Sequence, residues 1–253
     1  MEIYDYILEL EKRAKSASAA MNTASDETRR AVLLDLADRV EAASADILAA
    51  NALDLAAAAD NGVPTPMLDR LRLTDARLSG MAEAVRALAH LDDPVGGGKT
   101  WTTPAGLTIT ERRVPLGVVA MIFEARPNVT LDAAALCIRS GNAAVLRGGK
   151  EAIESGRAIC RVVGDVLAAH GLPRDGVCFV ERTERAGADA LLTIRGYVDV
   201  LIPRGGKGLI RNVVDNAKVP TIETGAGNCH IYVEKTADFD MARRIIENAK
   251  VQR

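Results

Sequence analysis

VLIPRGGKG, residues 200–208, is the stretch that decides the fold. An apolar run of strand type enters a glycine-rich turn carrying Arg204 and Lys207, and an apolar-periodic helix starts at Leu209. A strand, a tight turn and a helix in succession form the local unit of an α/β protein, and amides at the helix start face an anion there. Gly205, Gly206 and Gly208 let the backbone approach a phosphate, and Arg204 and Lys207 supply charge. The plainer alternative is two surface cations on a turn. Neither GxGxxG nor GxxxxGK[ST] occurs, so this is a nucleotide-type cradle of a less usual kind.

Outward from this unit the same alternation repeats. Apolar runs at 116–123, 143–146, 177–180, 198–202 and 230–233 read as strands. The segments 129–139, 150–169, 209–216 and 239–249 read as helices, the first closed by Ser140 and Gly141. Continuous apolar strands separated by helices predict a mostly parallel sheet covered on both faces. Ligands of such sheets bind beyond the carboxyl ends of the strands. That rule selects four loops, 123–128, 147–150, 203–208 and 223–228.

Residues 1 to about 92 read as helices throughout. Ile3, Tyr6, Ile7 and Leu10 form one apolar stripe, and Ser25 opens a helix that turns Leu33, Leu36, Ala37 and Val40 inward. Thr65 followed by Pro66 reads as an N-cap with proline at the first helical position. These helices hold no evident constellation of chemical groups. DDPVGGGK at 92–99 is a turn, and 100–113 alternates as a β-hairpin around the single tryptophan, Trp101. Trp101 serves either as an interface anchor or as a ligand platform. The expected organisation is a helical part at 1–99, a hairpin arm joining subunits at 100–113, and a nucleotide-binding core at 114–253.

The 253 residues are 48% hydrophobic and carry a formal charge of −2, which argues against nucleic acid as the main partner. Cys137, Cys160, Cys178 and Cys229 have neither metal nor disulfide spacing and sit in apolar surroundings, as cytosolic thiols do. Acids interrupt the first apolar stretch, so no secretory signal is expected, and no apolar run reaches membrane-spanning length. The expected compartment is cytoplasmic.

Three loops offer chemistry beyond the cradle. FEARPN at 123–128 places Glu124, Arg126 and Asn128 after a buried strand; Pro127 fixes the backbone and Asn128 can cap the next helix. Arg126 has no structural task, so Arg126 or Asn128 is assigned to the substrate or active site. RGGK at 147–150 sets Arg147 and Lys150 around Gly148 and Gly149, either as cofactor contacts or as a solvated charge pair. IETGAGN at 222–228 places Glu223 after a short strand and beside Gly225, to reach substrate or water, or only to hold backbone amides. Cys229 and His230 are adjacent on a predicted strand and so point to opposite faces, which argues against a catalytic dyad. His90 and His170 read as helix-end partners.

The long segment VPLGVVAMIFEARPNVTLDAAALCIRSGNAAVLRGGKEA at 114–152, with VDVLIPRGGKGLI at 198–210 and VPTIETGAGNCHIYVEKTADFDMA at 219–242, resembles the gamma-glutamyl phosphate reductase family. These enzymes, also called glutamate-5-semialdehyde dehydrogenases, belong to the aldehyde dehydrogenase superfamily. The resemblance covers the whole chain and implies an aldehyde-dehydrogenase-like, Rossmann-like fold. The implied activity is NADPH-dependent reduction of L-glutamyl 5-phosphate to glutamate 5-semialdehyde through a cysteine thioester, the second step of proline synthesis. The cysteine of the family lies in a segment resembling QRPSVCN, which is expected beyond Arg253. This portion alone is therefore expected to bind cofactor and to turn nothing over.

Residue by residue, the resemblance places Arg204, Gly205, Gly206 and Lys207 at the nucleotide pyrophosphate. Arg147 falls where the superfamily has a lysine at the adenosine ribose. Lys150 replaces a ribose-binding glutamate of NAD-preferring relatives and would attract a 2′-phosphate. Glu223 matches the superfamily's general base, with Gly225 beside it. Glu124 falls at the superfamily's oxyanion asparagine, four residues before Asn128; Arg126, as the substrate's anion ligand, and Glu124 are the substrate-binding candidates, and Asn128 joins Glu223 as a catalytic candidate. The family further implies a homo-oligomer and contact with glutamate 5-kinase. Other acylating aldehyde dehydrogenases, and a non-catalytic dinucleotide-binding module, are the alternatives. FEARPN and ETGAGN argue against general aldehyde dehydrogenases, which resemble WNFP and ELGG there.

Overall fold

The computed structural model describes residues 1–223, 225 and 229–251. Five helices come first: α1 (Ile3–Thr23), α2 (Asp26–Ala42), α3 (Ser44–Asp60), α4 (Thr65–Leu71) and α5 (Asp75–Ala89). Ser25 caps α2 as the sequence predicts, its hydroxyl accepting from the Thr28 amide at 3.1 Å. At α4 the cap is Pro64, and Thr65 is already helical with no side-chain cap bond, which corrects the reading of Thr65 as the cap. A small antiparallel hairpin follows, β1 (Thr100–Thr102) with β2 (Thr108–Thr110), and Trp101 pairs with Ile109.

The core is a four-stranded parallel sheet in the order β5-β4-β3-β6. Its strands are β3 (Val118–Phe123), β4 (Ala143–Arg147), β5 (Val177–Phe179) and β6 (Val200–Arg204). Their apolar runs are buried almost without interruption, as a sheet covered on both faces demands. The connecting helices are α6 (Pro127–Arg139), α7 (Ile153–Ala169), α8 (Arg185–Thr193) and α9 (Lys207–Asn216), and α10 (Phe239–Val251) ends the description. Helices α6 and α7 pack on each other and carry α2, α3 and α5 outside them, whereas α1 packs on α8 and on β4. Gly141 closes α6 at φ +71°, a conformation that suits glycine.

Two predicted strands fail. Residues 230–233 form none: Tyr232 is 88% exposed, and no described strand lies beside the segment to supply backbone partners. The short strand expected before Glu223 reduces to a single bridge between Leu201 and Thr221. Helix α8 has no counterpart in the sequence reading, although Ala188, Leu191 and Leu192 stand at helical spacing and are buried. No single helix among the described residues is long and apolar enough to cross a membrane.

Candidate functional site

Strand register builds the site. Arg147 pairs with Ile122 and Arg204 pairs with Phe123, so β3, β4 and β6 release their loops from one edge of the sheet. The chain steps from β3 to β4 and β5 on one side and returns to β6 on the other. The crevice between the ends of β3 and β6 is therefore the topological switch point, where parallel sheets take their ligands.

One contact spans that crevice. The Gly206 amide donates to Glu124 Oε1 at 2.7 Å, and the Glu124 amide donates to the Arg204 carbonyl at 3.3 Å. The sequence reading gives this amide to a phosphate; here it holds the Glu124 carboxylate. The loops of β3 and β4 meet equally closely. A Cβ on Gly149 would stand 2.7 Å from the Ala125 amide nitrogen, which restricts position 149 to glycine.

Two hollows flank the start of α9. One of about 440 Å³ lies between Phe123, Glu124, Arg147, Gly149 and Leu209, with α4 as its far wall. The other, of about 360 Å³, opens between α8 and α9 and takes Arg147, Lys150, Arg185, Asp189 and Asn212. Arg147 borders both. Its guanidinium is half-buried, and burial pulls its pKa down while Asp189 opposes the shift. One of its amino groups reaches the Glu184 carbonyl at 3.3 Å, and its buried Nε has no hydrogen-bond partner among the described residues. A buried donor without a partner costs free energy that a ligand oxygen would recover. Three cations, Arg147, Lys150 and Arg185, against one acid, Asp189, fit a phosphorylated adenosine.

The remaining candidates lie apart from this trough. Asn128 does not cap α6, a correction to the reading above. Arg126 is the cap position, Asn128 lies inside the helix, and the Asn128 amide donates to Asp132 Oδ2 at 3.1 Å. Arg126 is exposed, with no ion pair among the described residues. Arg204 and Lys207 are exposed at the mouth of the crevice. Glu223 and Gly225 are exposed as well, while Thr224 and residues 226–228 of that loop lie outside the described residues.

Burial pushes the Cys137 and Cys178 thiols up to about 12 and raises Cys160 too; Cys229 is exposed. The sequence reading missed Arg185 and Asp189 because it missed α8. It also missed Asp54, whose carboxylate accepts from the amides of Glu154 at 3.0 Å and Ser155 at 2.8 Å. Helix α7 thus takes its N-terminal cap from α3 across the fold, and that cap fixes the end of the 147–150 loop. No local signal marks a cap that comes from another helix.

The aldehyde dehydrogenase family model matches residues 6–252. The chain belongs to the aldehyde dehydrogenase family. Within that family it is 46% identical over its whole length to a gamma-glutamyl phosphate reductase of Clostridium acetobutylicum. It is 49% identical, over 96% of its length, to one of Moorella thermoacetica. It spans 61% and 58% of those relatives. The crystal structure of the gamma-glutamyl phosphate reductase of Thermotoga maritima superposes with a TM-score of 0.91 at 38% identity, over 98% of this chain and 60% of that one.

Proposed function

We propose that this chain is the dinucleotide-binding portion of an enzyme that reduces L-glutamyl 5-phosphate to L-glutamate 5-semialdehyde and phosphate with NADPH, as in proline synthesis. The observation that carries the reading is Arg147, whose buried Nε has no partner among the described residues and which stands at the junction of two hollows, with the Gly206 amide at the crevice already donating to a carboxylate. The names of the relatives support the substrate. When bound, the dinucleotide supplies the hydride.

The residues of this chain orient and hold. Arg147, Lys150 and Arg185 take the adenosine end and its 2′-phosphate, with Gly148 and Gly149 keeping the loop close. Gly205, Gly206, Arg204 and Lys207 take the pyrophosphate at the start of α9. Glu124 releases Gly206 as the pyrophosphate arrives. A cysteine thiolate outside this chain attacks the acyl phosphate, phosphate leaves, and a thioester remains. Burial raises the pKa of Cys137, Cys160 and Cys178 and so disfavours the thiolate that this step needs. Arg126 holds an anionic group of the substrate, Asn128 orients its neighbours, and Glu223, with Gly225 giving it room, serves as the base at the reacting end.

In this reading residues 1–99 brace the nucleotide core at 114–253, and the hairpin at 100–113 joins subunits of a cytoplasmic homo-oligomer that meets glutamate 5-kinase. The test has two arms. Calorimetric titration of this chain should show NADPH binding about tenfold or more tighter than NADH; equal affinities overturn the cofactor assignment. The chain alone should turn nothing over, while the whole protein should oxidise glutamate 5-semialdehyde with NADP+ and phosphate. Inactivity of the whole protein overturns the proposed reaction.

A further inference from the structure

A cavity of about 420 Å³ lies between the C-terminal end of α4 with the two residues after it, α5 and the first turns of α6. Four arginines border it. Arg77 is consumed by the fold: its guanidinium donates to the carbonyls of Asp69 at 2.5 Å and Arg72 at 2.6 Å, and pairs with the Asp69 carboxylate at 3.1 Å. That clamp fixes the end of α4. Arg70, Arg72 and Arg126 have no acidic partner among the described residues.

Asp132 presents the opposite problem. It is half-buried on α6, accepts only from Asn128, and has no cation within pairing distance among the described residues. Burial raises its pKa, as expected for an acid held where nothing neutralises it. A fold that needed only packing there would carry an apolar residue. Arg126, Asn128 and Asp132 also border a second cavity, of about 520 Å³, that reaches Gly205 and Gly206. Arg126, Asn128 and Asp132 thus line a path that ends at the crevice beside Gly206. On the α5 side, a Cβ at Gly80 would meet nothing within 4 Å, so glycine there leaves the cavity open.

We propose that this cavity binds the α-amino acid head of the substrate, with Asp132 taking the α-ammonium and Arg126 and Arg70 taking the α-carboxylate. The proposal rests on the acyl-phosphate reading above and names the part of the molecule which that reading leaves unbound. An L-glutamyl chain carries one ammonium among several negative charges, and the cavity offers one acid among three unpaired arginines. With the head seated there, the side chain extends through the second cavity and brings its fifth carbon to the crevice. Glutamate 5-semialdehyde is then selected by its head as well as by its aldehyde.

The test runs the reaction in reverse on the whole protein, where aldehyde, NADP+ and phosphate give acyl phosphate, NADPH and a proton. Three aldehydes are compared: glutamate 5-semialdehyde, 5-oxopentanoate, which lacks the ammonium, and 4-aminobutanal, which lacks the carboxylate. The ratio of kcat/KM values is independent of the folded fraction of a variant. Asp132→Asn should reduce the preference for glutamate 5-semialdehyde over 5-oxopentanoate about 30-fold or more, because it removes one partner of a desolvated charge pair. Arg126→Gln should do the same for the preference over 4-aminobutanal. Gly80→Leu, which fills the cavity, should raise KM for the semialdehyde and leave KM for NADP+ unchanged. Wild-type discrimination in Asp132→Asn, or an unchanged KM in Gly80→Leu, overturns this site while leaving the reaction standing. A wild-type protein inactive on glutamate 5-semialdehyde overturns the reaction first, and this assignment with it.

Discussion

The Glu124 carboxylate closes the crevice between β3 and β6 by accepting from the Gly206 amide at 2.7 Å, a contact between residues 82 positions apart. It occupies the amide that opens α9, the position proposed above for the dinucleotide pyrophosphate. An anion there and a second anion cannot share one donor. Glu124→Gln keeps the shape and removes the charge, so NADPH should bind roughly three- to tenfold more tightly. Titration calorimetry at fixed ionic strength measures this, and weaker binding by the variant would assign Glu124 a supporting role instead.

Lys150 stands exposed at the end of the 147–150 loop, beside the hollow that also takes Arg147 and Arg185. Lys150→Glu replaces attraction for a 2′-phosphate by repulsion. Solvent screens an exposed charge, so the expected loss of NADPH affinity is about tenfold, with NADH affinity nearly unchanged. A parallel loss for both dinucleotides would place Lys150 away from the 2′-position.

Asp54 satisfies two backbone amides and the Ser155 hydroxyl, the last at 2.6 Å. Asn51 extends the same buried network to the Leu71 carbonyl and the Leu73 amide. Asp54→Ala strands those donors and should cost about 2–4 kcal/mol in urea denaturation. Dinucleotide affinity should fall as well, because the capped turn positions Lys150.

Glu11 is 0% exposed on α1, neither of its carboxylate oxygens has a partner among the described residues, and burial raises its pKa to about 8. A carboxyl whose pKa is higher folded than unfolded binds its proton more tightly in the native state. Stability is therefore full below the unfolded value of 4.5 and falls as pH rises towards 8. Glu11→Gln removes this dependence. Its melting temperature should match the wild type near pH 5 and exceed it at pH 8, by an amount equivalent to a few kcal/mol. Parallel pH profiles for the two proteins would show that Glu11 finds a partner in solution.

The sequence shows most clearly what is local. Apolar runs mark β3 to β6 because each is buried on both faces, and Ser25 marks the start of α2 because an N-cap acts on its own helix. The loops at the carboxyl edge follow from topology alone. What stays hidden depends on residues far apart: the Glu124–Gly206 contact, the cap that Asp54 lends to α7, and the burial of Glu11 beside Leu10 on an ordinary-looking helix. The 230–233 run reads as a strand because Ile231, Tyr232 and Val233 are strand formers, yet propensity with no pairing strand among the described residues produces none. Helix α8 was within reach, since its buried positions keep helical spacing through a polar, arginine-rich segment.

The cap that Asp54 provides joins positions 100 residues apart, and this orders events in time. The first turn of α7 stays unfinished until α3 has docked, whatever the state of β4. Contacts of such long sequence separation form late, because the intervening chain must give up its freedom first. The 147–150 loop and the start of α7, proposed to hold the adenosine, are therefore expected among the last parts of the molecule to settle during folding and the first to loosen under stress. A dinucleotide present as the chain folds would act where the structure is least secure.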